Sequence, residues 1–332
     1  MKHLKLFETY EEEPWWKEFT KYQLNAYPVN IPKEDVQIDL SGDIDTHPVM
    51  TWRSPKTGKK VYAYTKARMD AQSDKKYERI GNLTDKEVRR IKARAHDDII
   101  SETTSDKTKQ LAAIICIIAE TGLRPGSRKG FLETENRGVV TLSPENIEID
   151  GPKIMLNFMG KSYKENTAKI NDGVLANYIA TRIEEDEDGF VFDVKKNMLD
   201  RYYKKQLGMA DFKIKDLRTY IAGKIAKMFL RRNKVDVSNA EPKEIKKIVK
   251  STLKKTFEHV SMKLNNSPAM ARGSYVNPVI INEWLDSIGV TPQLMTEGTP
   301  EEMESPKRFD GDAPVYDMPN WWDNDEINLV KE

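Results

Sequence analysis

The chain has 332 residues, 38% hydrophobic and 32% charged, which is long enough for two domains or one large one with its own core. Its longest apolar run, Leu111 to Ala119, is nine residues, far short of the roughly 20 that cross a bilayer, and Met1 to Tyr10 carries no apolar signal segment. The net charge of +1 is unevenly spread: residues 283–332 hold 13 acidic and 3 basic side chains, a net of −10, which leaves +11 on residues 1–282. A basic body with an acidic tail recurs among nucleic-acid binders, though a merely solvated surface has the same composition. The single cysteine, Cys116, sits inside the apolar run. It excludes an internal disulfide and reads as a packing residue in a reducing compartment.

In chain order, residues 1–80 read as a β-rich unit. Val49–Arg53 and Lys60–Tyr64 are strand-like, and Ser54-Pro55-Lys56-Thr57-Gly58-Lys59 between them is a turn by its Pro and Gly content, so a hairpin with a basic tip is expected. The pattern turns helical over Asn82–His96, where Thr84 followed three residues later by Glu87 is a capping box. The domain boundary is placed near residues 75–84, with a second domain over 81–288. In that domain Lys107–Glu120 reads as a buried helix ended by Gly122, and Val139–Leu142, Ile147–Asp150 and Ile154–Phe158 read as the strands of a small antiparallel sheet. Val174–Arg182, Ile214–Arg231 and Glu244–Lys263 read as helices, and Glu184–Asp188 as an acidic surface loop. Pro268 after Ser267 opens a further helix, with Ser267 as its cap. Residues 289–332 are rich in Pro, Gly, Asp and Glu and read as a disordered tail, with Tyr316, Trp321 and Trp322 as its apolar exceptions. The fold class is α+β.

Four segments carry chemistry. Thr121-Gly122-Leu123-Arg124-Pro125-Gly126-Ser127 sets an arginine between glycines at the end of a buried helix, where its fork can reach a phosphate. Phe158-Met159-Gly160-Lys161 puts a lysine at a strand end. Lys215-Asp216-Leu217-Arg218-Thr219-Tyr220 places Arg218 near a helix N-terminus, a place that favours anions. Leu264-Asn265-Asn266-Ser267-Pro268-Ala269 leads to Arg272-Gly273-Ser274-Tyr275. Each segment alone has an ordinary reading: a helix C-cap, a solvated lysine, a surface arginine paired with Asp216, a tyrosine filling a core.

Together and in this order, the four resemble the catalytic domain of type IB DNA topoisomerases, in particular the small poxvirus-like and bacterial branch. The resemblance runs from about Leu111 to Trp284, more weakly over Trp52–Ile80, and its most specific string is Lys-Asp-Leu-Arg-Thr-Tyr. It implies Tyr275 as nucleophile, Arg124 and Arg218 as transition-state stabilisers and Lys161 as general acid. Asn266 stands nine residues before Tyr275, where many members carry histidine. The Leu-Asn-Asn-Ser-Pro-Ala string looks like the bacterial variant in which asparagine takes that place. Asn266 would give a neutral hydrogen bond to the phosphate but no charge. His259 reads as a packing or surface residue.

The resemblance further implies relaxation of supercoiled duplex DNA through a 3′-phosphotyrosyl intermediate, without ATP, metal or other cofactor. His3, His47, His96 and His259 are scattered along the chain and no phosphate-binding P-loop string occurs. Double-stranded DNA is the expected partner, gripped by a monomer through Arg53, Lys56, Lys59, Lys60 and Arg68. No membrane is involved. The expected location is the cytoplasm or nucleoid of a bacterium, or an infected host cell if the protein is viral. The nearest alternative is a tyrosine recombinase, but there a His-x-x-Arg motif is usual and here Lys215 precedes Arg218 by three. A DNA-binding module that has lost catalysis is the other alternative.

Overall fold

The computed structural model describes residues 14–44, 46–185 and 189–291; the expected tail, apart from its first three residues, lies outside them, as do Asp186 to Asp188 of the acidic loop. Contacts divide the chain into two units, one up to Lys75 and one from Lys76. In the first, three short strands pair antiparallel in the order β1 (Gln37–Ile38), β2 (Met50–Arg53), β3 (Lys60–Ala63). The expected hairpin is β2–β3, with Arg53 opposite Lys60. Ser54 N donates to the Lys59 carbonyl at 2.9 Å and closes the turn. Phe19, Leu24, Val49, Met50, Trp52 and Ala63 form this unit's own core.

Among the described residues, ten α-helices and three more strands follow. The first helix, α1 (Lys66–Gly81), has no counterpart in the sequence reading. Its buried residues are Met69, Ser73, Tyr77 and Ile80, a helical spacing partly hidden because a serine occupies one position of the stripe. α2 (Asp85–Ile100) starts with the expected Thr84–Glu87 capping box, and α3 (Asp106–Thr121) is capped by Ser105. Every residue from Leu111 to Ala119 is buried, so α3 is apolar on all sides because it runs through the middle of the main core. Cys116 is among them, and burial pushes its thiol up to about 12, as suits a packing residue. α3 ends at Gly122, whose φ of 69° closes the C-cap.

After α4 (Arg128–Thr134) comes a second antiparallel sheet of β4 (Ile147–Asp150), β5 (Lys153–Gly160) and β6 (Lys164–Asn171), in that order. The three-stranded sheet was expected, but its membership is corrected. Val139–Leu142 is not a strand. Val139–Thr141 is a 3-10 turn whose amides bond back to the Arg124 and Pro125 carbonyls at 3.0 and 2.9 Å. Four fully buried apolar or β-branched residues read as a strand from composition, but a local turn satisfies the backbone equally well. The third strand is β6, whose inward positions, Asn166, Ala168 and Ile170, alternate too weakly in hydrophobicity to announce it.

The remaining helices are α5 (Gly173–Glu185), α6 (Lys196–Arg201), α7 (Ile214–Arg232), α8 (Pro242–Lys263), α9 (Pro268–Met270) and α10 (Pro278–Ser287). α6 runs into a π-helical turn at Tyr202–Gln206, and α9 into one at Ala271–Tyr275. α7, α8 and α10 bury a second core around Val249, Leu253, Phe257, Ile281 and Leu285. The fold is α+β, with two small antiparallel sheets. No helix among the described residues is long and apolar enough to cross a membrane.

Candidate active site

Arg124 is fixed by its backbone. It lies between α3 and α4, and its carbonyl takes the Val139 amide. Two glycines make this possible. A Cβ on Gly126 would stand 2.8 Å from the Gly138 Cα, and one on Gly138 would stand 2.6 Å from the Gly126 Cα, so only glycine at both places lets the two chains meet. The side chain is therefore launched from a rigid loop, and its Nη2 donates to the Tyr275 hydroxyl at 3.1 Å.

Arg218 sits in the first turns of α7 and is 3% exposed. Its Nη1 donates to the Gly122 carbonyl at 2.6 Å and its Nη2 to the Leu264 carbonyl. It thus ties the end of α3 to the end of α8, and its guanidinium carbon lies 5.0 Å from the centre of the Tyr275 ring. Burial, and then the neighbouring Arg124 charge, lower its pKa to about 10, which still leaves it charged at neutral pH. Its Nε is buried without a partner among the described residues, so one donor remains for a ligand.

Tyr275 ends the π-helical turn after α9. Ser267 caps that helix as expected, its hydroxyl accepting the Met270 amide at 3.2 Å. The turn carries the chain to a half-buried tyrosine between two guanidinium groups. Burial by itself raises the phenol's pKa. The charges of Arg218 and Arg124, and their hydrogen bonds, outweigh it, so the pKa lies below the ordinary value. Tyr27, Tyr178, Tyr202, Tyr203 and Tyr220 are all shifted upward instead. A phenol eased toward phenolate beside two arginines can attack a phosphate that those arginines hold.

Asn266 follows Leu264 by two residues, and both polar atoms of its amide are buried without partners among the described residues. An amide placed so costs stability unless a ligand completes it. Lys161 opens a 3-10 turn directly after β5. It is exposed, and no hydrogen bond or ion pair of its ammonium is present among the described residues. The structure thus brings Arg124, Arg218 and Tyr275 into contact, with Asn266 on the segment after Leu264 and Lys161 outside the cluster.

The basic residues singled out near the N-terminus belong to the first unit. Arg53 is exposed and holds the hairpin tip by donating to the Gly58 carbonyl at 3.1 Å. Lys56 and Lys59 are exposed, the Lys60 ammonium lies 5.4 Å from the Tyr62 ring centre, and the Arg68 guanidinium 4.5 Å from that of Tyr64. His259 stacks on Phe229 with ring centres 5.0 Å apart, as a packing residue does.

An arginine-flanked phenol, on helices around a small antiparallel sheet, defines a candidate enzyme of phosphodiester chemistry. Residues 65–283 match the family described as eukaryotic DNA topoisomerase I, catalytic core, and the chain belongs to that family. It is a DNA topoisomerase, hence an isomerase that acts on DNA, of the type IB, poxvirus-like kind. Over 234 residues it is 25% identical to the DNA topoisomerase I of Monkeypox virus, covering 69% of this chain and 70% of that protein. It has the same identity and coverage with the DNA topoisomerase 1B of Vaccinia virus, strain Copenhagen. A solved structure of the XerH site-specific recombinase bound to palindromic difH substrate, a post-cleavage complex, superposes with a TM-score of 0.36 and 13% identity, covering 60% of this chain and 49% of that one.

Proposed function

We propose that this chain relaxes supercoiled duplex DNA by cutting and resealing one strand through Tyr275. The observation that carries the proposal is the Tyr275 hydroxyl 3.1 Å from Arg124, with its pKa drawn down against burial. The phenol oxygen forms a bond to the phosphorus, its proton passes to solvent, and the bond from phosphorus to the 5′ oxygen breaks. Arg124 and Arg218 hold the non-bridging oxygens as charge builds on them. Asn266 adds a neutral hydrogen bond to the same phosphate. Lys161 supplies the proton that the leaving 5′ oxygen needs; its exposed ammonium suits a group that meets its partner only when DNA is bound. The product is a 3′-phosphotyrosyl bond, which keeps the energy of the phosphodiester. Attack by the free 5′ hydroxyl after strand rotation restores the strand, so neither ATP nor a metal ion takes part.

DNA is the partner. A monomer grips it through residues 1–80 and through the catalytic domain of residues 81–288, with Arg53, Lys56, Lys59, Lys60 and Arg68 on the phosphates. The acidic stretch of residues 289–332 takes no part in the chemistry. The poxviral relatives favour action in an infected host cell over a bacterial nucleoid. The test is relaxation of supercoiled plasmid with EDTA present and ATP absent. Full relaxation, and none in Tyr275→Phe, is expected. Dependence on magnesium or ATP overturns the mechanism, and activity in Tyr275→Phe overturns the nucleophile.

A further inference from the structure

The two backbone carbonyls on either side of Tyr275 are both held by one helix. The Lys76 ammonium, on α1, donates to the Ser274 carbonyl at 3.0 Å. The next residue, Tyr77, is 7% exposed and donates its hydroxyl to the Val276 carbonyl at 3.2 Å. Neither carbonyl has the usual helical partner. Four residues after Ser274 stands Pro278, which has no N–H to give. Four residues after Val276 stands Ile280, whose amide is taken by the Asn277 carbonyl at 2.9 Å. The chain leaves its π-helical turn at Val276 in an extended conformation, so side chains from elsewhere must fill the gap.

One turn further along α1, Arg79 grips the helix that carries Arg218. Its Nε and Nη2 fork onto Asp216 at 2.8 and 3.0 Å. Asp216 is 1% exposed and also accepts the Lys213 amide at 2.8 Å, which fixes the first turn of α7 two residues before Arg218. The end of α1 therefore sets the nucleophile's backbone and one of its two arginines together. Keeping Lys76 in this place is costly. Burial, with Lys215 and Arg79 nearby, lowers its pKa to about 8 even though Asp216 pulls it the other way. A local rule broken beside an active centre points to a task there rather than to stability.

We propose that Lys76 and Tyr77 are positioning residues for strand cleavage: they hold the carbonyls flanking Tyr275 so that its hydroxyl meets Arg124 and Arg218. The proposal rests on Tyr275 being the nucleophile. A displacement of the order of 1 Å in a reacting group costs up to about a hundredfold in rate, and two hydrogen bonds on adjacent peptides are the means of preventing it here.

The experiment uses the full chain and a short duplex with a single cleavable strand, at saturating protein. It follows formation of the covalent protein–DNA adduct in one turnover, together with DNA affinity and the melting temperature at pH 7. Lys76→Met and Tyr77→Phe are each expected to form adduct about ten- to a hundredfold more slowly, with unchanged DNA affinity and, for Lys76→Met, no loss of melting temperature. Lys76→Arg is expected to recover most of the rate. Parental rates in both Lys76→Met and Tyr77→Phe overturn the proposal, as does a rate loss in Lys76→Met that comes with a lowered melting temperature and that arginine does not rescue. Tyr275→Phe runs alongside. Adduct in that variant overturns the nucleophile reading itself, whereas no adduct there with parental rates in the other two overturns the positioning role alone.

Discussion

Among the described residues, two π-helical turns each present tyrosine to the interior, and they treat it in opposite ways. At Tyr202–Gln206, after α6, Tyr202 and Tyr203 are 1% and 0% exposed. The Tyr202 hydroxyl donates to Asp98 at 2.6 Å. Burial first, and then carboxylates (Asp98 for Tyr202, Asp216 and Glu87 for Tyr203), push both phenols up and out of reach of ionisation. At Ala271–Tyr275, after α9, burial pushes the same way, but Arg218 and Arg124 reverse it. Such turns are rare and frequent at functional sites, yet at Tyr202 the opposing pull of Arg94 is outweighed by burial and by Asp98, so no nucleophile is made there. The turn brings the ring inward; the sign of the neighbouring charge decides whether the oxygen is inert or reactive.

The largest test of that contrast removes the reversing charges. Arg124→Ala is expected to slow adduct formation about a hundred- to a thousandfold with little change in urea-unfolding midpoint, because the guanidinium donates its hydrogen bond to Tyr275 itself. Arg218→Ala is expected to lose as much rate and also stability. It strands the buried Gly122 and Leu264 carbonyls that Arg218 now binds, at about 1–3 kcal/mol each. If Arg124→Ala cleaves at the parental rate, charge is not what separates Tyr275 from Tyr203.

A middle-sized effect concerns Lys76, whose charge is buried beside the reactive turn. Its pKa is about 8 in the folded chain against an ordinary 10.5. Between those two values the unfolded chain binds the proton and the folded chain does not, so stability rises with pH across the window. The whole span is worth about 3 kcal/mol. Below pH 8 the buried charge is a burden, larger than the roughly 1 kcal/mol of its hydrogen bond. Lys76→Met is therefore expected to unfold at higher urea than the parent at pH 7, and to lose that advantage as the pH approaches 10.5. A difference between the two proteins that stays constant from pH 7 to 10 would show that the lysine is not desolvated as described.

Legibility of the sequence follows the same line between charge and packing. Arg124, Arg218 and Tyr275 lie in short strings with glycine, proline or a helix start nearby, and those strings were readable because each fixes local backbone. Their meeting was readable only through the family resemblance, since the residues are 94 and 57 positions apart. The supporting residues Lys76, Tyr77 and Arg79 carry no such local signal. α1 looks like a charged stretch, and its inward face, Met69, Ser73, Tyr77 and Ile80, is marked by spacing more than by hydrophobicity. What these residues do, binding carbonyls at 274 and 276 and a carboxylate at 216, depends on tertiary approach that no local pattern encodes. The same holds for Val139–Leu142, where buried β-branched residues gave the signal of a strand and the loop of Arg124 supplied the hydrogen bonds of a turn.

The smallest effect lies on the inert side of the comparison. The Tyr203 hydroxyl is buried and has no hydrogen-bond partner among the described residues. Removing it in Tyr203→Phe takes away a desolvated polar group and leaves the ring that fills the core. The expected change in stability is between zero and a gain of about 1 kcal/mol, read as an unchanged or higher urea midpoint, with adduct formation at the parental rate. Asp216 is the one point of communication to watch. It contributes to the upward shift of Tyr203 and is also the carboxylate that Arg79 holds at the start of α7. If Tyr203→Phe slows cleavage while leaving the midpoint alone, the electrostatics of the two turns are linked through Asp216. The inert tyrosine then belongs to the active site's surroundings rather than to the core alone.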